Sequence, residues 1–160
     1  MRSHTVVDSP LGALTLVDQD GLLAGVWMTG QRHLPGPASY GGRDEAVLPA
    51  LREQLVAYWQ GELTDFDVPL AVQGTAFQQR VWAVLRRIPY GHTWSYGRLA
   101  AELGSPGASR AVGLANGRNP VGIVVPCHRV VGSSGHLTGY GGGLERKRIL
   151  LDLEAGAALF

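Results

Sequence analysis

The apolar residues of this 160-residue chain change their period partway along it, and that change limits the folds open to it. In the first part, apolar and polar residues alternate over His4 to Asp8, over Ala13 to Val17 after Pro10 and Gly12, and over Leu22 to Met28. A period of two in runs this short predicts antiparallel strands. Thr29 to Gly42 is rich in Gly and Pro and reads as a loop. Val47, Leu48, Leu51, Leu55, Tyr58 and Trp59 then recur at helical spacing up to Gly61, with Tyr58 and Trp59 on the apolar stripe as core residues.

From Gly74 onward the period is helical. Thr75 can cap a helix carrying Phe77, Val81, Trp82, Leu85 and Ile88 on one side, which Pro89 and Gly91 end. A helix from about Ser95 to Leu103, a turn at Gly104 to Gly107 and a helix reaching about Ala115 make a helix-turn-helix pattern. The second of these helices is small-sided, with Ala108, Ala111, Gly113 and Ala115, so its backbone could approach a groove closely while Arg110 projects from it. Taken alone, the same small residues suit tight packing inside the protein at least as well. The chain is thus expected to be α+β. Residues 1–73 would form a small N-terminal α/β domain with antiparallel strands. Residues 74–160 would form a mainly helical C-terminal domain with a winged-helix-like DNA-binding element.

Charge divides at the same place. Residues 1–73 hold four Lys/Arg against nine Asp/Glu, and residues 74–160 hold ten against four, although the whole chain nets only +1. Such asymmetry points to an anionic partner for the second part, and thirteen of the fourteen basic residues are arginine, which suits bidentate phosphate contacts. An ordinary solvated basic face is the plainer alternative. The single cysteine excludes an internal disulfide and any multi-cysteine zinc site, so a metal could come only from scattered histidines; neither metal nor cofactor is expected. No stretch approaches the roughly 20 apolar residues of a membrane span, and MRSHTVVDSPLG lacks a signal-peptide apolar core, so the expected location is cytoplasmic.

That cysteine lies in IVVPCHRVV, with a histidine and an arginine directly after it. Val121 to Val125 reads as a buried strand that Pro126 stops, which would put Cys127 at a strand end or tight turn with its thiol presented at an edge. A reactive thiolate needs a lowered pKa, which a neighbouring imidazole or cation can provide. In an extended strand, however, Cys127 and His128 would face opposite ways and could cooperate only across a turn or through a water molecule. A free cysteine is most often simply a small buried hydrophobe.

FQQRVW, IPYG with SYGRLA after it, SRAVGLANGRNP, VVPCHRVVG, TGYGGG and KRILLDLE, in this order, resemble the O6-alkylguanine-DNA alkyltransferase family of direct-repair proteins. SPLG and GELTDFDVPL extend the resemblance more loosely into the first part. The resemblance implies irreversible, single-turnover transfer of an alkyl group from O6 of guanine in double-stranded DNA, with O4-alkylthymine as a further substrate, to the protein's own cysteine. Cys127 would be the alkyl acceptor, His128 a general base acting through water, Glu154 the carboxylate that orients it, and Asn119 the holder of the active-site turn. Arg110 would fill the gap left by a flipped nucleotide, reached through the minor groove, with Ala111 and Gly113 on the same slim helix. Tyr96 would crowd the 3′ phosphate and donate a proton toward the base, Tyr140 would wall the guanine pocket, and Gly141 would offer a backbone contact. The protein would act as a monomer, associated with the nucleoid when on DNA. Two other readings remain open: a lesion-binding alkyltransferase-like protein, against which the thiol at Cys127 argues, and a cysteine hydrolase or redox sensor built on Cys127 and His128.

Overall fold

The computed structural model describes residues 1–156. It opens with three strands, β1 (Arg2–Val7), β2 (Leu14–Gln19) and β3 (Leu22–Met28), and a short β4 (Gly42–Arg43). The sheet order is β3-β2-β1-β4, antiparallel except for the β1–β4 pair, which is parallel. Between β3 and β4, the Gly/Pro-rich stretch is a loop with one 3-10 turn over Pro37–Tyr40. Helix α1 (Pro49–Trp59) starts with proline at its first turn, where the missing N–H is not needed, and buries Leu51, Leu55, Tyr58 and Trp59.

The remaining elements are α2 (Ala76–Leu85), β5 (Trp94–Ser95), α3 (Tyr96–Glu102), α4 (Ser109–Gly117), β6 (Val130–Val131) and α5 (Leu144–Glu154). This is the α+β architecture that the two periods predict. Thr75 caps α2 through a capping box: its hydroxyl accepts from the Gln78 N–H at 3.1 Å, and the Gln78 side chain accepts from the Thr75 N–H at 3.0 Å. Ile88 lies beyond α2 in the following turn, yet it is fully buried. Ser95 caps α3 with a single side-chain bond, its hydroxyl accepting from the Arg98 N–H. Helices α3 and α4 form the expected helix-turn-helix, and β5 pairs with β6 in a two-stranded parallel ribbon beside them.

One buried cluster runs from Leu11 to Leu153 through both parts of the chain. The outer edge of β3 is closed by backbone from elsewhere: the Leu23 N–H donates to Pro69 O, and the Val26 N–H donates to Pro120 O, each at 2.9 Å. The edge of the sheet, which would otherwise be an open row of donors and acceptors, thereby holds the segment leading into the cysteine.

One expectation fails. Val121–Val125 is not a strand but a tight bridged turn, in which the Val125 N–H donates to Val121 O at 3.0 Å and Ile123 sits at φ +76°. A β-branched residue in the left-handed region costs roughly 1–3 kcal/mol and persists only where its surroundings over-determine it. Ile123 is 1% exposed, so core packing holds it there.

Loss of the α2 cap, by Thr75→Ala, is expected to cost about 1 kcal/mol. Differential scanning calorimetry should show this as a fall of roughly 2–4 °C in melting temperature. A melting point unchanged within error would show that α2 does not depend on its capping box.

Candidate active site

The turn before the cysteine is fastened by one side chain. Asn119 accepts from the Val121 N–H at 3.1 Å through Oδ1 and donates to Val125 O at 2.8 Å through Nδ2, gripping both ends of the turn. Pro126 then adopts φ −82°, ψ 62°, and the Cys127 N–H donates across it to Val125 O at 2.8 Å, an inverse γ-turn. Cys127, His128 and Arg129 continue as a single 3-10 turn. Successive side chains of such a turn are about 120° apart, so the opposition that a strand would impose between Cys127 and His128 is removed.

Cys127 is not presented at an edge. It is 6% exposed and packed into the common core. Nor is its thiol pre-ionised. Burial pushes its pKa up, against the smaller opposing pulls of the Asn119 amide and the Lys147 ammonium. The cysteine rests as a buried, protonated thiol, which would need a proton acceptor close at hand to react.

His128 supplies one. Its Nε2 lies 2.9 Å from Glu154 Oε2, and both residues are buried. Burial alone would raise the Glu154 carboxyl, but hydrogen bonds from His128 and Arg129, together with the Arg129 charge, hold it down to about 2. An ionised carboxylate can only accept, so Nε2 carries the proton and Nδ1 is left as the free base. Burial keeps the ring neutral by lowering its pKa, although Glu154 pulls the other way. Nδ1 is itself buried and has no protein partner among the described residues.

Glu154 carries more than His128. Arg129 grips it in two-pronged fashion, Nε to Oε1 at 2.7 Å and Nη2 to Oε2 at 2.9 Å, and its third nitrogen donates to Ile88 O at 2.7 Å. From α1, the Tyr58 hydroxyl donates to Glu154 Oε2 at 2.5 Å. The apolar spacing placed Tyr58 in the core but gave no sign of this hydroxyl's task. Arg129 also went unassigned; a charged residue inside an apolar run was the signal that could have found it. Lys147 was missed as well. It is fully buried in α5 and donates to Val130 O and Thr138 O, and burial brings its pKa down to about 8.

The other expected residues surround this group. Arg110 and Ala111 are exposed on α4, and Gly113 lies against the Tyr96 ring, 3.6 Å from where a Cβ would stand. Tyr96 is half-buried, and its hydroxyl faces Thr138 O at 3.3 Å and Gly139 O at 3.5 Å, so its only proton is directed at the glycine-rich loop. Tyr140 is buried, and its hydroxyl has no protein partner among the described residues. Gly141 O accepts from the Arg32 N–H at 2.8 Å, so the first part of the chain holds this loop. Glycine is required at 142, where a Cβ would stand 2.6 Å from Met28 Sδ and 2.8 Å from the Tyr140 ring. No helix among the described residues is long and apolar enough to cross a membrane.

The C-terminal part of the chain thus brings together a buried thiol, a neutral imidazole whose tautomer is fixed by a carboxylate, and an exposed arginine on a small-sided helix. Two family models match the chain: "6-O-methylguanine DNA methyltransferase, ribonuclease-like domain" over residues 3–72 and "6-O-methylguanine DNA methyltransferase, DNA binding domain" over residues 76–156. The chain belongs to the 6-O-methylguanine DNA methyltransferase family. A methylated-DNA–protein-cysteine methyltransferase of Mycolicibacterium paratuberculosis is 54% identical over 154 residues, covering 96% of this chain and 93% of the relative. The protein of the same name from Methanosarcina acetivorans is 49% identical, covering 94% and 97%. The crystal structure of Mycobacterium tuberculosis OGT in complex with DNA superposes with a TM-score of 0.90 at 51% identity, covering 96% of this chain and 93% of that one.

Glu154→Gln should be destabilised at pH 7 by about 3 kcal/mol, because Arg129 stays buried without its counter-charge. Its acid limb should also be shallower. The Glu154 carboxyl is held below its ordinary 4.5, so the stability it contributes is complete above that pH and fades as pH falls toward about 2. His128 acts in the same direction, since below pH 6.5 the unfolded chain takes up a proton that the folded one resists. Thermal melting of both proteins between pH 7 and pH 3 checks this, and parallel acid limbs would remove Glu154 from the titrating group.

Proposed function

We propose that this chain repairs alkylated DNA directly, moving the alkyl group from O6 of guanine onto its own Cys127. The observation that carries the reading is the neutral His128 beside a buried thiol, with its proton fixed toward Glu154 and its Nδ1 free. The Cys127 sulfur attacks the alkyl carbon in line, the S–C bond forms and the C–O6 bond breaks. The thiol proton passes through a water molecule to Nδ1, and the departing guanine anion takes up one proton at a ring nitrogen, so charge balances. Glu154 stabilises the transient imidazolium, with Tyr58 and Arg129 holding that carboxylate in place.

The acceptor is buried, so the target nucleotide must leave the duplex at a cost of a few kcal/mol. Residues 74–160 form the DNA-binding and alkyl-accepting part, and residues 1–73 support it. Arg110 enters through the minor groove and refills the stack, while Ala111 and Gly113 allow the helix backbone to come close. Tyr96 crowds the adjoining phosphate, Tyr140 walls the pocket, and Gly141 offers backbone to the base. The same chemistry extends to O4-alkylthymine. A thioether does not hydrolyse under mild conditions, so each monomer acts once, on the nucleoid in the cytoplasm.

Incubation with a duplex containing one O6-methylguanine, followed by intact-protein mass spectrometry, should show one methyl group gained per chain, located on Cys127. Cys127→Ser should gain none while binding DNA within a small factor of the parent, because a hydroxyl is far less nucleophilic at neutral pH. Transfer by the serine variant near the parent rate would overturn the acceptor assignment. Arg110→Ala should slow repair of duplex DNA at least tenfold more than reaction with free O6-benzylguanine, since only the duplex has a gap to fill. Equal slowing with both would remove Arg110 from the flipping step.

A further inference from the structure

The donors around Glu154 are unequally divided between its two oxygens. Oε1 accepts one hydrogen bond, from Arg129 Nε at 2.7 Å. Oε2 accepts three: from the Tyr58 hydroxyl at 2.5 Å, and from His128 Nε2 and Arg129 Nη2 at 2.9 Å each. A carboxylate oxygen has about two lone pairs, so the three donors share them, and the short O–H bond to the carboxylate takes the largest part.

Tyr58 is thus set against His128 at a single atom. Its ring is fully buried, tilted against Phe66 and edge-on to Trp59 with centroids 5.1 Å apart in both cases, so the hydroxyl has little choice of direction. Burial and the charge of Glu154 push its pKa up, which keeps it a donor. Tyr90, edge-on to Tyr58 at 6.3 Å, is likewise held protonated by burial. Negative charge drawn toward Tyr58 leaves less of it to hold the His128 N–H, and less to stabilise a second proton on that ring.

We propose that Tyr58 is a positioning residue that limits how tightly the His128 imidazole holds a proton, by competing with it for Glu154 Oε2. Resting on the alkyl-transfer reading, the consequence is a base that stays unprotonated until the sulfur attacks, with the first part of the chain setting its strength. The other charges that bear on the imidazole are those of Arg129 beside it and Lys147 on α5, and both repel a proton. Glu154 and Lys147, with pKa values of about 2 and about 8, keep their charges near and below pH 6.5, where the imidazole titrates, and the Cys127 thiol stays neutral there.

The test uses the full chain carrying ring-labelled histidine. NMR titration reads the imidazole directly, the His128 signal being identified by its loss in His128→Gln, and thermal melting reads folding. In the parent protein His128 should titrate below the usual 6.5, since burial lowers it. Tyr58→Phe keeps the ring and its packing without the hydroxyl, and should raise that midpoint by about 0.5–1 pH unit, the part of a charge-assisted hydrogen bond that passes to the imidazole. A difluorotyrosine placed at position 58 has a more acidic hydroxyl that donates more strongly, and should move the midpoint down. Alkylation of Cys127 by free O6-benzylguanine, followed by intact mass over the same pH range, should have an acid limb that moves with the titration. An unmoved His128 midpoint in a normally melting Tyr58→Phe would overturn the proposal in favour of a packing role alone. Shifts of the same sign in both variants would also overturn it, and the fluorinated protein decides the matter if Tyr58→Phe does not fold. Opposite shifts in a protein that takes up no alkyl group at any pH would leave Tyr58 in control of the imidazole and overturn the alkyl-transfer reading instead.

Discussion

Everything near the cysteine depends on a buried carboxylate that is fully paired. Glu154 is the last residue of α5, where the helix dipole disfavours negative charge, and it is buried as well. Two unfavourable terms are overcome by three donors from two places in the chain: Tyr58 in α1, and His128 and Arg129 in the turn after Pro126. Removal of any one donor would leave charge in a low-dielectric site with less to balance it. Those donors fix the end of α5, the acceptor turn and α1 to a single point, so stability and chemistry draw on the same contacts. The first part of the chain is therefore not a passive neighbour, since its tyrosine closes the network that holds the base.

The state of the thiol follows from that network. An exposed cysteine with a depressed pKa reacts readily, but it is also readily oxidised. Cys127 is buried and pushed the other way, toward the neutral thiol. On the proposed reading, reactivity is assembled only when a substrate fills the pocket and the proton can move to His128 as the sulfur attacks. For a protein whose thioether product has no route back, a nucleophile protected until use avoids loss of the whole molecule to a side reaction.

Legibility in the sequence followed the range of the forces involved. The run Leu22 to Met28 was read to its observed limits, and the Thr75 cap and the Gly104 to Gly107 turn were visible because period, capping and turn chemistry are local. Val121 to Val125 was misread because a β-branched run is the signature of a strand and a buried turn satisfies the same composition. What makes it a turn is Asn119 bonding Val121 and Val125, together with packing around Ile123. The order of the motifs around Cys127 pointed to His128, Glu154 and Asn119, and the structure brings these together. Tyr58 and Arg129 were invisible as site residues because their partner Glu154 lies 96 and 25 residues away, and no periodicity encodes a contact of that kind.

Helix α4 then ties the surface to the interior. Arg110 stands exposed near its start and Asn116 is buried near its end, about 9 Å further along the axis at 1.5 Å per residue. A helix this short behaves as a rigid bar, and its small side chains let it pack closely at Gly113 against Tyr96 without losing an exposed face. Tyr96 in turn points its hydroxyl at the loop that carries Tyr140, and Arg32 of the first part fastens that loop at Gly141. On the proposed reading, a force applied at Arg110 by a bound duplex has a packed route to the carbonyl of Cys127 through Asn116, and a second to the loop of Tyr140 through Tyr96. The acidic and basic parts of the chain differ in charge because only one of them meets phosphate. They share a core because the base, the nucleophile and the helix that meets the DNA must hold one geometry.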